Sequence, residues 1–97
     1  MNMNLEVRGF ARMDCYSFFS GKYTIFFDVS NPYTTCTIYK NGSDGKLYPI
    51  KVGVSLCSPS DTWDLKTGMK NSLTKTVRGL PRKDREMIWY KFLGEIK

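Results

Sequence analysis

Ninety-seven residues, 41% apolar and 25% charged, suffice for one domain with its own core, without disulfides or a metal to hold it together. No apolar run approaches the roughly 18 residues of a membrane span, and Met1-Asn2-Met3-Asn4-Leu5-Glu6 has no basic segment leading into an apolar one, so the expectation is no secretory leader and a cytoplasmic protein. The formal charge of +6 is lopsided: residues 1–63 hold six basic and five acidic side chains, residues 64–97 nine and four. A one-sided positive field points to an anionic partner such as nucleic acid, a nucleotide, phosphate or an acidic protein, or else to a solvated basic helix face.

The first expected strand runs from Leu5 to Met13, with Leu5, Val7, Ala11 and Met13 on one face and Gly9 marking a bulge or close approach. Asp14 to Tyr16 reads as a turn or bend, and Ser20-Gly21-Lys22 as the next turn after the pair Phe18-Phe19. Tyr23 to Val29 is the clearest strand: Ile25, Phe27 and Val29 share a face opposite Thr24, Phe26 and Asp28. Ser30-Asn31-Pro32 ends it, because proline has no amide hydrogen for the ladder. Thr34 to Lys40 is a further strand, with Cys36 and Ile38 on one side. Asn41-Gly42-Ser43-Asp44-Gly45, with its N-G and D-G pairs, is a hairpin turn. The return strand, Leu47 to Leu56, alternates through Tyr48, Ile50, Val52, Val54 and Leu56, and Pro49 marks an edge or a bulge near its start.

Cys57 to Thr62 is rich in turn and cap residues, so a helix is expected to begin near Thr62 to Asp64. Leu65, Met69, Leu73 and Val77 form its apolar stripe. Gly68 costs it roughly 1 kcal/mol relative to alanine, and Gly79 is the natural C-cap. Pro81 fits the first turn of a second helix, whose core stripe is Ile88, Phe92 and Ile96, widened by Trp89 and Leu93. The expected fold is α+β: an antiparallel sheet of four to five strands over residues 1–57, followed by two C-terminal helices over 58–97, in one domain spanning 1–97.

The chain has no histidine, which excludes Ser-His-Asp and Cys-His triads within it. Neither a P-loop, nor G-x-G-x-x-G, nor H-E-x-x-H is present. Cys15, Cys36 and Cys57 are too few and too scattered for a zinc site and read as reduced, mostly buried side chains. No cofactor, metal or catalytic residue is expected; the expectation is a protein that binds without catalysing. Arg78 and Arg82 flank the Gly79–Pro81 helix break, and Arg85 follows three residues on. Guanidinium groups converging at such a corner grip a phosphate bidentately, and the second helix adds free N–H donors. The alternative is solvated arginines paired with Asp84 and Glu86. Trp63 could stack on a base or cover the sheet as a core aromatic. Phe10, Phe18, Phe19, Phe26, Tyr39 and Trp89 exceed what one small core hides, which points to a homo-oligomer with aromatics in its interface.

Gly53 to Leu80 carries a resemblance. The strand ending in Cys57-Ser58-Pro59-Ser60-Asp61-Thr62-Trp63-Asp64 and the Gly68-containing helix after it resemble a Cys-x-Pro-x-Asp-x-aromatic-Asp motif of small phage-encoded proteins. The layout of sheet and then helices is similar to that of the phage anti-Thoeris sponge family. The resemblance implies an oligomeric counter-defence protein, acting in the host-cell cytoplasm, that sequesters a cyclic nucleotide or cyclic ADP-ribose-type immune signal without cleaving it. At Asn71-Ser72 and Thr74-Lys75 the helix departs from the pattern, so only aromatic and arginine contacts carry over, onto Trp63, Arg78, Arg82 and Arg85. The alternatives are an anti-CRISPR-like inhibitor that binds a host defence protein, and a small nucleic-acid-binding protein.

Overall fold

The computed structural model describes residues 4–7, 14–30, 32–57 and 64–95, with the backbone alone for 4–7 and 14. Five strands come first: β1 (Asn4–Val7), β2 (Asp14–Ser20), β3 (Tyr23–Ser30), β4 (Tyr33–Asn41) and β5 (Leu47–Leu56). Two helices follow, α1 (Leu65–Thr76) and α2 (Arg82–Glu95). The strands form one antiparallel sheet in chain order, β1-β2-β3-β4-β5, so each strand pairs with the one before it. The α+β architecture is the one expected.

Both helices lie on the same face of the sheet. Ile25, Phe27 and Val29 of β3, Cys36 and Ile38 of β4, and Phe18 of β2 meet Met69 and Leu73 of α1 and Ile88 and Phe92 of α2 in one buried cluster. The rings of Phe18, Phe27 and Phe92 form its centre, with centroids 5.7 to 6.4 Å apart. These separations suit offset and tilted aromatic pairs, each adding about 0.5–1.5 kcal/mol beyond area burial. Phe18 is therefore core rather than interface.

α1 approaches the sheet closely where both sides are small. A Cβ on Gly53 of β5 would meet the Thr76 side chain and lie 3.0 Å from the Ser72 carbonyl, and one on Gly68 of α1 would lie 2.5 Å from Thr34 Oγ1. Ser72 and Thr76 are buried there, and the Thr76 hydroxyl donates back to the Ser72 carbonyl. The glycine that weakens α1 as an isolated helix is what lets it seat on β4.

Several sequence expectations need correction. Asp14 to Tyr16 is no turn: it is the first part of β2, paired in register with Phe27 to Val29, and Cys15 Sγ donates to Asp28 Oδ1 across that pairing (3.2 Å). One aspartate is a weak turn signal against a full partner strand. β5 does not alternate unbroken. Ile38 pairs with Lys51 and Tyr39 with Pro49, which leaves Ile50 in a bulge and places Tyr48 on the side opposite Val52. Val52, Val54 and Leu56 point away from the helices, and Gly53 and Ser55 point toward them. Alternation defines two faces without saying which is covered. α1 is capped at its C-terminus by Val77 rather than by Gly79, which lies two residues further on at φ +89. Leu93 is 47% exposed rather than part of the core. Phe10, Ile96 and the part of the first expected strand beyond Val7 lie outside the described residues.

Candidate functional site

Asp64 caps α1. Its carboxylate accepts from the Thr67 backbone N–H (3.2 Å) and from the Thr67 hydroxyl, and these hydrogen bonds hold its carboxyl below the usual carboxylate range. After α1 the chain turns through Val77 to Leu80, closed by Leu80 N–H to the Val77 carbonyl (3.1 Å). Pro81 stands one residue before α2 and accepts from Arg85 N–H (3.0 Å), as a residue entering a helix does. This tight connection sets the end of α1 beside the first turns of α2.

On α2, residues 82, 85, 86 and 89 follow the i, i+3, i+4, i+7 spacing of a single helix face. Arg82, Arg85, Glu86 and Trp89 line one cleft with Thr74, Val77 and Arg78 from the end of α1 and the turn, and Tyr90 completes its wall. Its volume is about 620 Å³, within the range of small-molecule sites. Trp89 is half-buried and held edge-on against Phe92, with centroids 5.6 Å apart and planes at 82°. The cleft thus has an aromatic side, Trp89, anchored in the core, while Tyr90 is 78% exposed.

Three of the four expected site residues, Arg78, Arg82 and Arg85, share this cleft. The fourth, Trp63, lies outside the described residues. The arginines do not pair with Asp84. That carboxylate turns toward the sheet, accepts from Tyr23 OH (2.7 Å) and stands 3.9 Å from Lys22 Nζ. Arg82 Nε does donate to Glu86 Oε2 (3.1 Å), but both side chains are mostly exposed, so the pair is weak and open to exchange. Arg78 and Arg85 make no ion pair among the described residues. The cleft is thus cationic, with guanidinium groups free to bind.

Trp89 and Tyr90 line the cleft without being among the four expected residues. Sequence periodicity assigns Trp89 to the core stripe, and it does touch the core. Its spacing, seven residues from Arg82 and four from Arg85, puts it on the arginine face as well.

Among the described residues no group of three or more His, Cys, Asp or Glu side chains is placed to hold a metal ion. Burial pushes the Cys36 thiol up to about 12, so it is protonated at neutral pH. No helix of the described residues is long and apolar enough to cross a membrane. Comparison with protein-family models, curated proteins and solved structures finds no match to this chain.

Proposed function

We propose that this protein binds and holds a phosphate-bearing nucleotide in the cleft between the end of α1 and the start of α2. The observation that carries the reading is the convergence of Arg78, Arg82 and Arg85 with Trp89 in one cleft of nucleotide size. Arginines bind phosphate oxygens bidentately, and an aromatic face receives a base. Glu86 already accepts from Arg82, and an incoming phosphate displaces it. The cleft carries no histidine, so the role proposed is retention rather than turnover. Following the resemblance of residues 53–80, the ligand class is a cyclic nucleotide or cyclic ADP-ribose-type immune signal. The setting is phage counter-defence in the host cytoplasm, and the acting species is a homo-oligomer.

The test is calorimetry against cyclic nucleotides, cyclic ADP-ribose isomers and inorganic phosphate, with the ligand recovered and analysed after denaturation. Capture suited to sequestration is nanomolar, about −12 kcal/mol, and the ligand returns intact. Arg85→Ala, which removes a charge-assisted contact at an exposed site, weakens binding by about 10- to 100-fold. Binding no tighter than about millimolar to every compound ends the proposal. A nucleic-acid reading is favoured instead if affinity for oligonucleotides exceeds that for mononucleotides and falls steeply with salt, since Arg82, Lys83 and Arg85 are all exposed.

A further inference from the structure

The face of the sheet turned away from the helices is left apolar. Tyr33, Leu47, Val52, Val54 and Leu56 are 44% to 63% exposed. The register places Tyr33 opposite Leu56 and Leu47 opposite Asn41, which puts all five on that outer face. Among the outward positions of β3, β4 and β5, Asp28 alone is charged, and it already accepts the Cys15 thiol. In a chain with 24 charged side chains (15 + 9) this depletion is local, and the helical layer on the opposite face carries most of the cations.

We propose that this outer face is where two copies of the chain pack, sheet face on sheet face, about a twofold axis. At ~100 Å² for an apolar side chain and ~150–250 Å² for an aromatic one, half exposure of the five residues presents on the order of 300 Å² of apolar surface per protomer. A standard interface takes about 800 Å² from each partner, little more than half of it apolar. The half-buried rings of Phe26 and Tyr39, on the same face, supply much of the remainder. Two molecules of net charge +6 repel, and a face almost without charge is where they approach at least cost. An acidic or nucleic-acid partner would find no cation there.

The open edge of β5 is closed to this association. Cys57 N–H donates to the Pro32 carbonyl (2.8 Å), and bonded pairs alternate with non-bonded ones from there, so Val54, opposite Thr35, directs its carbonyl off the sheet. Lys75 Nζ donates to that carbonyl (2.9 Å). Counting likewise from Gly42 N–H to the Lys46 carbonyl (2.8 Å), Pro49 presents to the edge a nitrogen with no hydrogen. Both features block strand addition. The copies therefore stack as a sandwich, about 10 Å between sheets, rather than extend the sheet. Both arginine clefts then lie on the outside, and the inference stands whether or not the cleft binds a nucleotide.

Light scattering on the size-exclusion peak tests it. Twice 11.2 kDa is expected, with a dissociation constant of about 1 μM or tighter. The double variant Val52→Lys, Val54→Lys puts four cations into the interface at positions already exposed in the protomer. It should run as a monomer with the wild-type circular dichroism spectrum, as should Leu56→Lys if the double variant fails to fold. Lys75→Ala should leave dimerisation within about twofold. A wild-type monomer at about 100 μM, a dimer surviving the lysine substitutions, or a tenfold gain in dimer affinity on Lys75→Ala would each overturn the proposal; the last means that edges, not faces, associate.

Discussion

Tyr23 and Asp84 show how one residue pair connects sheet, helix and site. Tyr23 is buried at the start of β3, and its part-buried hydroxyl donates to Asp84 in the first turn of α2. Burial first, and then the hydrogen bond and charge of Asp84, push its pKa up to about 12 from an ordinary 10.0. The folded state thus holds the phenolic proton more tightly than the unfolded chain does. The stability this confers is complete below about pH 10 and is lost as the pH rises through about 12. Denaturant titrations at stepped alkaline pH should show that loss in the wild type and a shallower one in Tyr23→Phe; equal slopes would refute the assignment. Asp84 stands off the face of Arg82, Arg85, Glu86 and Trp89 by its place on the helix, so that face carries one acid, Glu86. The three arginines are legible in the sequence as a cluster about a helix break. That Asp84 pairs with the sheet is not, because its partner lies 61 residues earlier in the chain.

At the scale of the element, α1 reverses a propensity rule. Replacing a mid-helix glycine by alanine stabilises an exposed helix by about 1 kcal/mol. Gly68→Ala is expected instead to destabilise this protein by about 1–2 kcal/mol, the overpacking against Thr34 outweighing the propensity gain. Urea unfolding measures it, and adding Thr34→Ala should cost less than the sum of the two single changes. A net gain in stability from Gly68→Ala alone would show that the helix shifts freely over β4. The apolar stripe Met69, Leu73, Val77 was readable because it recurs every four residues, and β3 and β4 because their buried residues alternate. The orientation of β5 was not. Its alternation names no inner face, and Ser72 and Thr76 of α1 demand the small one, Gly53 and Ser55. That choice is made by the partner element, and a strand does not carry it alone.

At the scale of the molecule, the two layers divide labour by charge. The sheet layer and its turns are nearly neutral, and the helical layer carries the excess of cations, as the segment counts indicated. The order β3, β4, β5, α1, α2 was legible because Asn41 to Gly45 and Gly79 to Pro81 announce their turns with Gly, Asn, Asp or Pro; β2 was not, since its first residues read as a turn. The masking of one open edge by Pro49 and Lys75 governs how the protein behaves when crowded. A ten-residue β-strand with valines and leucines along it is a seed for ordered aggregation once its backbone can recruit a neighbour. Pro49→Thr together with Lys75→Ala restores a donor and uncovers an acceptor on the same edge. Concentrated solutions of that variant should become turbid and bind amyloid-reporting dyes while the wild type stays clear; a clear variant would mean that the edge is guarded by something else. On this account Lys75 sets the solubility limit of the folded protein, and neutralising its amine, as acetylation does, lowers that limit without moving the melting temperature.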